Sequence, residues 1–234
     1  MRRMETKGIR LLMAVILLLS MAAVARGAAQ LVNSSRVQQR QYTVVIDAGH
    51  GGADPGKVGI NGALEKDINL EIALLVQEFL EQEDIRVIMT RETQDGLYDK
   101  NASNKKVDDM KKRIAIMEKE KPDVVVSIHQ NSYHDENVSG PQVFFYNGST
   151  EGKKLAEIMQ EQIVQGMKPE KERVAKENGS YYLLKKTSAP IVIVECGFLS
   201  NSKEAEYLCT PLYREKMAWN IQLAILRYLN ENDG

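Results

Sequence analysis

The stretch Val44-Val45-Ile46-Asp47-Ala48-Gly49-His50-Gly51-Gly52 passes within a few residues from a β-branched apolar run to an acid, a histidine and a cluster of glycines. A short run of this kind fills a buried strand of a parallel sheet. Ligands of open α/β sheets bind in the crevice beyond the carboxyl ends of such strands. Two further runs end in the same way: Val124-Val125-Val126-Ser127-Ile128-His129 and Ile191-Val192-Ile193-Val194-Glu195. The chain holds 3 histidines, and two of them stand at these ends. Three strands therefore aim polar groups at one place, which predicts a site there.

Strands are expected over Tyr42–Asp47, Ile85–Thr90, Asp123–His129 and Ile191–Glu195. Amphipathic stretches separate them. Ile68, Ile72, Leu75, Val76 and Phe79 share one helical face, and Val107, Met110, Ile114 and Met117 share another. A helix from Thr150 to about Gly166 follows an Asn147-Gly148 turn signal. Pro211, at a first-turn position, opens a final helix with Met217, Ile221, Ala224, Ile225 and Tyr228 inward. This alternation defines an α/β chain with a largely parallel sheet flanked by helices. With 234 residues, 43% hydrophobic and 27% charged, the chain supports a single domain with an ample core. Lysine plus arginine number 31 against 32 acids, so the phosphate attraction that dominates nucleic-acid binding has no source.

The first residues read as an address. Arg2, Arg3, Lys7 and Arg10 precede an apolar run from Leu11 to Ala25, which is the pattern of a secretory signal. The run is shorter than the roughly 20 residues a spanning helix needs. Ala23-Val24-Ala25 and Gly27-Ala28-Ala29 offer small-residue cleavage sites. The expected organisation is a signal peptide or N-terminal membrane anchor over 1–29, a polar linker over 30–41 and a catalytic domain over 42–234, working outside the cytoplasm.

Six of the 16 glycines fall between Gly49 and Gly62, a segment suited to close backbone approach. It lacks both the Gly-Lys-Ser/Thr ending of a phosphate-binding loop and dinucleotide spacing. Glu65 follows at the head of a helix, where an acid also complements the helix dipole. Two imidazoles and one carboxylate form a known catalytic zinc set with one position left open. A nearby carboxylate outside the ligand set can accept a proton from water and deliver it to a leaving amine. Glu195 is the candidate.

These residues belong to longer blocks. Asp47-Ala48-Gly49-His50-Gly51-Gly52, Gly62-Ala63-Leu64-Glu65-Lys66-Asp67, Thr90-Arg91, Ser127-Ile128-His129-Gln130-Asn131 and Val194-Glu195-Cys196-Gly197-Phe198-Leu199-Ser200-Asn201 resemble, in order, the signatures of the zinc-dependent N-acetylmuramoyl-L-alanine amidases. The resemblance spans about Tyr42 to Leu229. It implies a mixed, mostly parallel, roughly six-stranded sheet, with zinc held by His50, Glu65 and His129 and with Glu195 as the catalytic carboxylate. It also implies hydrolysis of the amide between N-acetylmuramic acid and L-alanine in peptidoglycan. Within the family the likeness is to the short, exported, germination-specific type of spore-forming bacteria, which prepares muramic δ-lactam in spore cortex. Vegetative autolysins share much of the same wording.

Two rivals keep the same residues: a cell-wall-binding module without turnover, and a zinc carboxypeptidase acting on stem peptides. The first has no need of all four site residues, and the second needs a group to hold a substrate carboxylate. The short domain without wall-binding repeats predicts reliance on an accessory protein or on membrane retention through the N-terminal segment.

Other polar residues are read mainly as structure. His134 lies in a polar loop, and Asn131 either orients a ligand or substrate or caps a turn. Arg91 is expected to pair a buried acid. Cys196 is expected as a packed thiol, its pairing with Cys209 left open. The lysine-rich stretch from Ser103 to Lys121, Arg113 included, is expected to be a solvated face. Trp219 is expected in the core.

Overall fold

In the computed structural model, residues 8, 12–13, 15–26 and 41–232 are described. They fall into two units that divide after Arg40. In the first, residues 15–26 are helical with exposed side chains. No described helix is long and apolar enough to cross a membrane. The Gly27-Ala28-Ala29 cleavage site and residues 30–40 of the expected linker lie outside the described residues.

The second unit is organised by six strands: β1 (Thr43–Ala48), β2 (Arg86–Met89), β3 (Val124–Asn131), β4 (Gln142–Tyr146), β5 (Lys176–Asn178) and β6 (Ile191–Phe198). Their order in the sheet is β2-β1-β3-β6-β4-β5. β2, β1, β3 and β6 run parallel, whereas β4 is antiparallel to β6 and parallel to β5. The sheet is mixed and mostly parallel, as expected. The helices are α1 (Glu65–Glu81), α2 (Lys105–Glu120), α3 (Thr150–Met167), α4 (Tyr182–Lys186), α5 (Ser202–Leu208) and α6 (Pro211–Asn232). Ser149 caps α3 by accepting a hydrogen bond from the Gly152 amide.

Successive side chains of a strand point to opposite faces, and this period of two divides the labour of the sheet. Val44 and Ile46 of β1, Val124, Val126 and Ile128 of β3, and Val192 and Val194 of β6 pack with Ile72 and Val76 of α1, Met159 and Ile163 of α3, and Ile221 and Ile225 of α6. On the opposite face Val45, Val125, Ile191 and Ile193 meet Met117 of α2 and Leu183 and Leu184 of α4. Continuing the same alternation, Asp47, Ser127, His129 and Glu195 follow Val45, Val125 and Ile193 onto this second face. The polar strand ends therefore gather on the side covered by α2 and α4.

Two helix readings are corrected. On α2 Met110, Ile114 and Met117 pack against the second cluster as expected, with Asp109 and Arg113 buried beside them, but Val107 is 46% exposed. The charged residue that joins this inward face is Arg113, which is 1% exposed and reaches the fully buried Asp47 at 2.6 Å. It does not belong to the solvated lysine face. On α6 the expected stripe of Met217, Ile221, Ala224, Ile225 and Tyr228 is buried, but Trp219 lies off that stripe. It is 49% exposed and sets its ring edge-on to Phe79 at 5.5 Å.

The Asp47–Arg113 pair generates a stability prediction. Burial alone would raise the Asp47 carboxyl, but Arg113, Ser127 and Thr90 outweigh it and bring the group to about 2 from 3.8. Its stabilisation is therefore present above pH 3.8 and lost as pH falls through about 2. Arg113→Met, which strands the Asp47 charge, is expected to cost about 3–5 kcal/mol in urea unfolding at neutral pH. That deficit should narrow on acidification through the same window. An unchanged urea midpoint would show that the pair is not an anchor.

Candidate metal centre

His50 leaves β1 in a left-handed conformation, φ 62°, unusual for a residue with a side chain. Its carbonyl accepts a hydrogen bond from Arg113 Nη2 at 2.5 Å, and Arg113 Nη1 donates to the Ala48 carbonyl at 2.7 Å. Arg91, also buried, donates to the carbonyls of Ala48, Gly49, Thr93 and Lys66. It was expected to pair an acid, and instead it ties the end of β1 to the start of α1.

Glu65 opens α1 from the far side of the glycine-rich loop. Its carboxylate accepts from the amides of Lys57 at 2.7 Å and Gln130 at 3.1 Å, and from Asn69 Nδ2 at 3.3 Å. Glu65 Oε1 also lies 2.9 Å from His129 Nδ1 and 3.2 Å from His50 Nε2. The glutamate is thus committed to the two imidazoles and the surrounding loops. His50 Nδ1 is held by Asp54 Oδ2 at 3.0 Å, leaving Nε2 directed at Glu65. One donor atom from each of His50, Glu65 and His129 falls within 4.8 Å of the others.

The loop permits this closeness by lacking side chains. A Cβ on Gly49 would lie 2.3–2.7 Å from the His129 ring. One on Gly56, φ 68°, would meet Glu65 Oε2 at 2.6 Å.

Glu195 stands opposite His129 in the β3–β6 register. It is 7% exposed, and its Oε2 is buried with no hydrogen-bond partner. Burial pushes its carboxyl up to about 7, a rise to which Glu65 adds and which His129 opposes. Burial acts on Glu65 too, but hydrogen bonds and charge from His129 and His50 dominate and hold it far below the usual carboxylate range. For His50, burial is outweighed by Glu65 and Asp54, and the imidazole is raised to about 8. These groups line a cavity of about 350 Å³, with Tyr181 and Tyr182 at the start of α4 and Lys106 and Met110 of α2. Two imidazoles and a carboxylate suit a divalent ion such as zinc, and the unpartnered Glu195 oxygen provides a proton acceptor in the same space.

The remaining residues take other roles. Asn131, the last residue of β3, accepts a hydrogen bond on Oδ1 from the Ser132 amide at 2.8 Å. His134 is exposed against Tyr133 and is not part of the donor cluster. Cys196 is buried, with its thiol pushed up by burial, and both it and Cys209 are free. Asp54 and Arg113 went unread in the sequence as site residues, one hidden in the glycine loop and the other among lysines.

Strand ends that carry this donor set, a buried carboxylate with an unpartnered oxygen and a glycine loop between β1 and α1 suit a metal-dependent hydrolase. The chain belongs to the N-acetylmuramoyl-L-alanine amidase family, whose profile matches residues 44–227. It is 36% identical over 191 residues to the germination-specific N-acetylmuramoyl-L-alanine amidase of Bacillus subtilis, covering 80% of each chain. The structure is similar to the CwlD amidase of Clostridioides difficile, solved in complex with the GerS lipoprotein. The TM-score is 0.78 at 36% identity, over 81% of this chain and 99% of that one. A second amidase, from Clostridium difficile 630, gives a TM-score of 0.73 at 31% identity, over 82% and 98%.

Gly49→Ala tests the packing of the centre. The added methyl must displace the His129 ring, so zinc affinity measured by equilibrium dialysis should fall about 10–100-fold while the chain stays folded by circular dichroism. Unaltered affinity would mean that His129 is not a ligand.

Proposed function

We propose that this chain hydrolyses the amide bond between the lactyl group of N-acetylmuramic acid and L-alanine in peptidoglycan, with zinc held by His50, Glu65 and His129 and with Glu195 moving the proton. The observation that carries the reading is the donor triad beside a buried carboxylate whose second oxygen has no partner. When bound, zinc would supply Lewis-acid polarisation of water and of the scissile carbonyl. The chain's own groups do the rest. Asp54 fixes the tautomer of His50 by occupying Nδ1, which leaves Nε2 as the nitrogen that would hold the ion. Glu195, buried beside the donor triad with one oxygen unpartnered, is placed to serve first as base and then as acid. It takes one proton from water as the oxygen adds to the carbonyl carbon. It returns that proton to the nitrogen as the C–N bond breaks, freeing the alanine amine.

The likeness to the germination-specific amidase supports a role in spore cortex, and the secretory pattern before the domain supports action outside the cytoplasm. Because the similar CwlD amidase was solved with a lipoprotein, an accessory protein partner for this chain is part of the proposal.

The test is to strip the protein of metal and incubate it with peptidoglycan with and without zinc, scoring new L-alanine amino groups. Zinc-dependent release is expected. Release of a terminal D-amino acid would point to a carboxypeptidase, and no product despite zinc binding would point to a binding module. Glu195→Gln should keep zinc and lose about 10²–10⁴-fold in turnover, whereas His50→Ala and His129→Ala should lose both. A fully active Glu195→Gln enzyme would remove Glu195 from the mechanism.

A further inference from the structure

The cavity is lined by Asp47, Asp54, Glu65, Asp109 and Glu195, and the cations facing it are already committed, with one exception. Arg113 is buried between Asp47 and Asp109. Lys106, by contrast, is 74% exposed, and its single ion pair is a 3.9 Å approach to Asp54 Oδ2. That oxygen already serves His50 Nδ1 at 3.0 Å. The neighbouring lysines are engaged elsewhere, Lys105 over the Tyr98 ring and Lys112 with Asp108. Lys106 also sits in the first turn of α2, where a cation opposes the helix dipole. Helix stability therefore gives no reason for a lysine at this position.

Its distance from the donor cluster suits an extended substrate. The two contacts share Asp54 Oδ2, which bounds Lys106 Nζ to within about 7 Å of His50 Nδ1, on the same imidazole as the donor Nε2. An extended chain advances about 3.3–3.6 Å per residue. A group one residue beyond the alanine of the scissile bond is therefore in reach of the ammonium, whose long stem lets it swing from Asp54 to a better partner. We infer that Lys106 determines specificity by pairing with a free carboxylate on the second residue of the stem peptide, the residue after the alanine. This rests on the amidase reading above. Asp54 holds Lys106 at the cavity mouth when no substrate is present and yields it to the incoming carboxylate, because Asp54 keeps His50 and the Gly56 amide as partners.

The experiment compares two soluble glycan–tetrapeptide substrates that are identical except that the carboxylate of the second residue is free in one and amidated in the other. With the zinc-loaded full chain, kcat/KM should favour the free acid about three- to tenfold, carried by KM, and the preference should shrink as salt screens the pair. Lys106→Met should bring the ratio to about one, Lys106→Arg should restore it, and Lys106→Glu should invert it. A preference that Lys106→Met leaves intact, or no preference in the parent chain, overturns the inference while leaving the amidase reading standing. No amine release from either substrate overturns both.

Discussion

Asp47 is shut away from water at the end of β1, and its carboxylate is met by Arg113 Nη1 at 2.6 Å, Thr90 Oγ1 at 2.8 Å and Ser127 Oγ at 2.5 Å. Those partners come from α2, from the segment after β2 and from β3. A buried ion pair is weak evidence for stability, because desolvation consumes most of the Coulombic gain. What this one fixes is position. Arg113 spends its remaining donors on Asp109 and on the carbonyls of Ala48 and His50. The backbone that leaves β1 is thereby held at the residue that presents the first imidazole. Arg91 holds the Gly49 carbonyl between them and reaches that of Lys66, beside Glu65. Two guanidiniums thus brace a glycine-rich loop whose own side chains could not.

With that loop fixed, the two carboxylates of the site are driven apart by their surroundings. Both are buried, which taken alone raises each. Glu65 collects two imidazoles and two backbone amides and stays ionised. Glu195 collects no hydrogen-bond partner on its second oxygen and rises to about 7. One is therefore suited to hold a cation and the other to exchange a proton, a difference made by their neighbours since the side chains are identical.

How far this was legible in the sequence follows from which residues carry a periodic signal. β1, β3 and β6 are long apolar runs, and their polar ends point to the centre directly. β5, Lys176–Asn178, contains no apolar residue, so its place at the sheet edge leaves no trace in hydropathy. α2 was legible in part: Met110, Ile114 and Met117 face inward as their spacing says, whereas Asp109 and Arg113 lie one turn apart and look like a solvated pair until Asp47 is placed opposite them. Trp219 misled for the converse reason, since a large apolar residue one position past Ala218 falls outside the buried stripe of α6. Asp54 resembles any polar loop residue, and only the fold brings it to His50 Nδ1.

The two faces of the sheet carry different burdens. The face under α1, α3 and α6 is a continuous apolar layer from Val44 to Leu229. The face under α2 and α4 has a smaller apolar cluster, and its strand positions give way to Asp47, Ser127, His129 and Glu195 where the cavity opens. Stability is thereby concentrated on one side and chemistry on the other. Truncation of Met159 or Ile225 removes apolar burial from the first layer, at about 2–5 kcal/mol each. These side chains do not line the cavity. Arg113 is the exception, because it belongs to the second face yet anchors the strand end itself, so fold and site meet in a single side chain.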